Sequence, residues 1–76
     1  MVDIILPKMG MSVTEATISG WKVNVGDKVS AGSPLVEVEM EKVNTVLESD
    51  IAGTVKEILF KEGDVVPVGS VICIIE

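Results

Sequence analysis

The segment beginning at Gly26, G-D-K-V-S-A-G-S-P-L-V-E-V-E, returns 37 residues later at Gly63 as G-D-V-V-P-V-G-S-V-I-C-I-I-E. Gly26, Asp27, Val29, Gly32, Ser33 and Glu39 recur as Gly63, Asp64, Val66, Gly69, Ser70 and Glu76, six identities in fourteen positions. Leu35 and Val38 come back conservatively as Ile72 and Ile75, and further upstream Ile18, Trp21 and Val23 align with Val55, Ile58 and Phe60. Self-similarity of this kind makes the chain two related halves. With 76 residues in all, both halves belong to a single domain, residues 1–76.

Within each half, Gly-Asp and Gly-Ser pairs punctuate short apolar runs whose period is two rather than 3.6. The pattern predicts strands at Val2–Leu6, Ala16–Asn24, Lys28–Val29, Leu35–Glu39, Asn44–Glu48, Thr54–Phe60, Val65–Val66 and Val71–Ile75. No window carries a capped helical period. Eight short strands in two equivalent halves point to an all-β fold, a flattened barrel or sandwich with pseudo-twofold symmetry. Apolar residues make up 47% of the chain but aromatics only 3%, so the interior must be aliphatic, with Trp21 and Phe60 as its aromatic anchors.

Composition also removes whole classes of chemistry. The net charge of -6 opposes nucleic acid and anionic membrane surfaces as partners. The absence of His removes the commonest general base and metal ligand. Cys73 is the one cysteine, so neither an internal disulfide nor a cysteine-held zinc can form. It aligns with Val36, which predicts a buried, inert thiol. A catalytic site would have to be built from carboxylates, lysines and hydroxyls, and the chain reads as no enzyme by itself. The richest apolar run, Val65–Ile75, is broken by Pro67 and Gly69, and neither a membrane span nor a signal peptide is legible. The expected setting is cytoplasmic, or the mitochondrial matrix in a eukaryote, with the isolated domain a monomer.

The two halves meet near residues 40–43. Along Leu35–Glu39, Val36 and Val38 alternate with Glu37 and Glu39. A tight turn from Met40 to Val43, with Glu41 and Lys42 at its centre, sets Val38 opposite Thr45 and Val36 opposite Leu47. The inward face is then Val36, Val38, Thr45 and Leu47, and the outward face Glu37, Glu39, Asn44 and Val46. A slip by one residue would drive Glu37 or Glu48 into the core at a cost of roughly several kcal/mol. Lys42 is thereby expected at the tip. A lysine in such a turn is ordinarily just a solvated charge, but here it falls at the junction of two symmetric halves.

The run V-E-M-E-K-V, preceded by G-D-K-V-S-A-G-S-P-L and followed by A-G-T-V, resembles the lipoyl domain of 2-oxo acid dehydrogenase acyltransferases. L-P-K-M-G-M-S-V-T-E-A-T-I resembles that family's opening strand and loop, with K-M-G-M most like the acyltransferases of acetoin dehydrogenase complexes. Gly26 and Gly53 stand at the spacings the family uses on either side of its lysine. The resemblance implies two four-stranded antiparallel sheets in a barrel-sandwich hybrid, and lipoate joined by an amide to Lys42. Glu39 matches the leading Glu of the family's turn. Met40, Glu41 and Val43 depart from its Thr/Ser, Asp and Ala, and with Glu39 would be the recognition residues around the turn. The implied function is a swinging arm that carries acyl groups and reducing equivalents between active sites. The implied partners are lipoate ligase or lipoyl transferase, a thiamine diphosphate-dependent dehydrogenase, an acyltransferase catalytic domain and the flavoprotein dihydrolipoamide dehydrogenase. A free lysine amine, of pKa near 10.4, is neutral in about one molecule in a thousand at pH near 7.4, so the ligase must supply the deprotonation.

Two other readings stay open. A biotinyl carrier domain shares the fold but has a Met-Lys-Met core; Met40 stands one place too early, and Glu41 occupies the position of a Met. An unmodified adaptor of a transport assembly would lack the lysine-centred acidic turn. Glu37, Glu39 and Glu41 form either an acidic recognition edge or simply a solvated strand face. Met9 and Met11 belong to a loop expected to pack near the hairpin. Gly26–Asp27 and Gly63–Asp64 read as turns rather than as phosphate or metal loops.

Overall fold

The structure, a computed structural model, describes residues 1–8, 13–40 and 43–76. Eight strands follow one another: β1 (Val2–Ile5), β2 (Glu15–Trp21), β3 (Lys28–Val29), β4 (Pro34–Met40), β5 (Val43–Glu48), β6 (Gly53–Ile58), β7 (Val65–Pro67) and β8 (Val71–Ile75). All eight predicted strands are present, most with ends displaced by one or two residues. β2 stops at Trp21, short of the predicted Asn24, because the chain enters the turn that leads to β3. Met9 and Met11 lie outside the described residues.

The strands form two four-stranded antiparallel sheets, β1-β8-β6-β3 and β5-β4-β2-β7. Each sheet draws strands from both halves of the sequence. Exchanging β1 with β5, β8 with β4, β6 with β2 and β3 with β7 turns one order into the other, which is the pseudo-twofold at the level of topology. The sheets face each other across the core without closing into a true barrel. The symmetry extends to single hydrogen bonds. Gly26 N–H donates to the Val55 carbonyl at 2.8 Å and Gly63 N–H to the Ile18 carbonyl at 2.8 Å. Ile18 N–H donates to Asp64 O at 2.9 Å and Val55 N–H to Asp27 O at 2.8 Å. Each Gly-Asp turn is thus stitched to the other half.

Those turns explain the repeated glycines. Gly26 and Gly63 adopt φ of 96° and 92°, the left-handed region where a side chain is strained. In each turn an aspartate closes the loop: Asp27 accepts from Asn24 N–H at 2.8 Å, and Asp64 from Lys61 N–H at 2.9 Å.

The core is aliphatic, as composition requires: Leu6, Ile18, Leu35, Val36, Val38, Val55, Val66, Ile72, Cys73 and Ile75 are all essentially inaccessible. Leu35 and Val36 are adjacent yet both buried, which simple alternation forbids. The ladder shifts register between Pro34 and Val36, and again between Ile4 and Ile5 opposite Ile72. A β-bulge at Leu35, repeated at its mate Ile72, therefore places two consecutive side chains inside. Trp21 and Phe60 are only half-buried and pack against the rim of the core, where the indole N–H donates to the Phe60 carbonyl at 2.8 Å. Their expected role as anchors of the interior is thereby moved to its edge. Cys73 is buried, and desolvation pushes its thiol above the ordinary value.

Candidate functional site

β4 is an inner strand of its sheet, with β2 on one side and β5 on the other. Its ladder with β5 pairs Val36 with Leu47, Glu37 with Val46, Val38 with Thr45, Glu39 with Asn44 and Met40 with Val43. This is the register that hydrophobic alternation demanded. Val36 and Val38 are fully buried, Thr45 and Leu47 half-buried, and Glu39 and Asn44 exposed on the opposite face. Because Met40 and Val43 are themselves a ladder pair, two residues, Glu41 and Lys42, connect the strands. Both lie outside the described residues.

The flanking residues divide. Glu39 is exposed, set between Thr17 of β2 and Asn44 of β5. Val43 is 60% exposed, unusually open for a valine. Met40, grouped with them as a recognition residue from the sequence, instead completes the inward row after Val36 and Val38 and is 7% exposed. Continuing the alternation by one more step would have found it. Glu37 is half-buried on the outward face, beside Val46. The outward side of the hairpin is therefore acidic and apolar together, over a floor fixed by the core.

Gly53, singled out for its spacing, has a steric role. A Cβ there would come within 2.6 Å of the Ile75 Cγ2 methyl and 2.7 Å of the Glu76 carbonyl oxygen. Its repeat mate is Ala16, which is 2% exposed. Both halves thus place a small residue where strand packing is tight, a signal present in the alignment of the repeats.

An amide-linked cofactor needs a primary amine on a support that does not yield. The donor set fits: Lys42 is the lysine between the paired strand ends, and the ladder below it is continuous from Met40 to Val36. Among the described residues no group of three or more His, Cys, Asp or Glu is arranged to hold a metal ion.

Residues 2–75 match the Biotin_lipoyl family model, described as "Biotin-requiring enzyme". The chain is 50% identical over 70 residues to the dihydrolipoyllysine-residue acetyltransferase component of the pyruvate dehydrogenase complex of Corynebacterium glutamicum, covering 92% of this chain and 10% of that protein. It is 46% identical over 71 residues to the lipoamide acyltransferase component of the branched-chain alpha-keto acid dehydrogenase complex of Bacillus subtilis, covering 93% and 17%. The chain thus spans between about a tenth and a fifth of the length of these curated relatives. Among solved structures, the lipoyl domain of the 2-oxoglutarate dehydrogenase complex from Azotobacter vinelandii superposes with a TM-score of 0.82 at 26% identity, covering 100% of this chain and 96% of that one. Matched along nearly all its length in sequence and throughout in fold, the chain belongs to the biotinyl/lipoyl-attachment family, on the lipoyl-domain side of it.

Proposed function

We propose that this domain is a lipoyl carrier: Lys42 takes lipoate in amide linkage, and the domain moves acyl groups and reducing equivalents between active sites of a 2-oxo acid or acetoin dehydrogenase complex. The observation that supports this best is the ladder pair Met40–Val43, which leaves Glu41 and Lys42 as the whole connection between two paired strands. Two-residue hairpin loops favour Asn-Gly or Asp-Gly for backbone reasons. Glu-Lys offers no such advantage, so the side-chain chemistry accounts for its presence.

When bound, lipoate supplies a cyclic disulfide able to accept an acyl group together with electrons. The chain's own residues have a simpler part. Val36, Val38 and Met40 hold the hairpin on the core, so the amine is attached to a fixed base rather than a loose loop. Glu39 and Val43 flank it and offer a ligase or dehydrogenase a charged and an apolar contact. Tethering then turns transfer between enzymes into an encounter at high effective concentration. The partners this reading requires are a lipoate ligase or lipoyl transferase, a thiamine diphosphate-dependent dehydrogenase, an acyltransferase domain and dihydrolipoamide dehydrogenase. The setting it requires is the cytoplasm or the mitochondrial matrix.

The test is intact mass after co-expression with lipoate ligase. A lipoyl increment is expected on the wild type and on Lys61→Ala, whose lysine begins the turn closed by Asp64, and is expected to vanish in Lys42→Ala. A biotinyl increment, or a lipoyl increment that survives Lys42→Ala, overturns the assignment.

A further inference from the structure

β1 and β5 are each an edge strand of its sheet, and among the described residues each pairs on one side only, β1 with β8 and β5 with β4. Between them runs a cleft of about 360 Å³ lined by Asp3, Ile4, Ile5, Pro7, Leu47, Glu48 and Asp50. Ile4 faces Cys73 across its ladder as Leu47 faces Cys73's repeat mate Val36, so Ile4 and Leu47 are mates and the cleft lies on the pseudo-twofold. Ile4 is buried and Leu47 half-buried, while Ile5 is 49% exposed and Asp3, Glu48 and Asp50 are exposed. The chemistry is lopsided: Ile5 and Pro7 on the β1 side correspond to Glu48 and Asp50 on the β5 side. An apolar floor, an acidic rim and two unpaired strand edges converge in one place.

We propose that this cleft docks an extended, lysine- or arginine-bearing peptide segment of a partner protein. Open strand edges supply main-chain hydrogen bonds to an added strand. The carboxylates of Asp3, Glu48 and Asp50 select for cationic side chains, and in a chain of net charge -6 they also favour a basic partner in the encounter. Glu48 stands five strand residues from Val43, roughly 17 Å at the rise of a β-strand, so the docked segment leaves the lysine-bearing end of the hairpin uncovered. A partner can hold the domain here while Lys42 remains accessible, and the docking does not depend on what Lys42 carries.

The experiment is a titration of the isotope-labelled domain, followed by amide NMR shifts, with a short peptide of alternating lysine and valine. Shifts are expected at Asp3–Ile5 and Leu47–Asp50, weakening with added salt. A glutamate–valine peptide of the same length is expected to leave them unmoved. Glu48→Lys combined with Asp50→Lys should weaken binding by about tenfold, and Glu48→Gln with Asp50→Asn by less, both with the wild-type unfolding midpoint. Shifts centred on Glu37 and Glu39, equal binding of the acidic peptide, unchanged affinity in the charge-reversed variant, or no binding overturns the proposal. So does reproduction of the same shifts by spermine, which would reduce the site to a simple attraction for cations.

Discussion

Gly53→Ala adds one methyl group at the tightest strand contact described among the glycines. The new Cβ would meet Ile75 Cγ2 at 2.6 Å and the Glu76 carbonyl oxygen at 2.7 Å. Comfortable carbon contacts lie near 3.5–4.0 Å, so roughly an ångström must be found by moving Ile75, which is fully buried, and the end of β8. Overpacking of this kind costs about 1–3 kcal/mol. Against it, Ala restricts the unfolded chain and contributes about 0.4–1 kcal/mol. The same displacement strains the reciprocal bonds between Thr54 and Glu76, at 3.1 and 2.8 Å, each worth about 1 kcal/mol. The net expectation is a destabilisation of about 1–2 kcal/mol, which at an m-value near 1 kcal/mol/M lowers the urea midpoint by about 1–2 M. Urea unfolding followed by the fluorescence of Trp21 measures it directly. The cause is checked with Ile75→Leu, which removes the branched methyl. The double variant should be more stable than the sum of the single changes by at least about 0.5 kcal/mol. An unchanged or raised midpoint in Gly53→Ala, or strict additivity in the pair, would refute the steric account.

Three further outcomes are expected. Asp27→Ala and Asp64→Ala each remove a turn-closing carboxylate and should cost similar amounts, about 0.5–1.5 kcal/mol apiece, adding in the double variant because the turns are separate; urea midpoints decide it, and strongly unequal losses would break the pseudo-symmetry at the level of energy. Burial raises the Cys73 thiol pKa from 9.0, favouring its neutral form in the folded state; its contribution is complete below the unfolded value and declines as pH rises from there through the folded one, so Cys73→Val, which copies its mate Val36, should flatten alkaline destabilisation in urea midpoints taken across that range. Glu41→Ala with Val43→Met should raise modification by biotin ligase, read by intact mass, and an unchanged mass would show that the turn residues do not discriminate between ligases.

Much of this fold could be read from the residues. The β4–β5 register followed from one fact, that slipping it would bury Glu37 or Glu48, and the ladder pairs Val38 with Thr45 accordingly. What alternation did not disclose was the bulge at Leu35 and Ile72, since a two-residue period has no symbol for an extra residue. The distribution of strands from both halves into each sheet was equally hidden, being decided by contacts such as Gly26 to Val55 that are remote in sequence. At the candidate site, alternation carried one step further would have taken Met40 inward and left Glu39 outside, but it would also have taken Val43, the ladder partner of Met40, inward, whereas Val43 at the end of the ladder is exposed. The β1–β5 cleft has no local signature, because Asp3 and Glu48 come to line one cleft only through the folding of strands remote in sequence.

The same twofold has a mechanical consequence. In the ladder of β1 with β8, Val2 faces Ile75 as Thr45 faces Val38 beside the hairpin. Val2 and Ile75, the outermost pair of that ladder, therefore sit at the pole opposite the Met40–Val43 end, on a body 32 Å in its longest dimension. A tether fixed to either terminus leaves the hairpin pole leading, so the whole body acts as a rigid lever. Tension applied to both termini at once would peel β1 from β8 one rung at a time, while the hairpin, at the other end, bears none of the load.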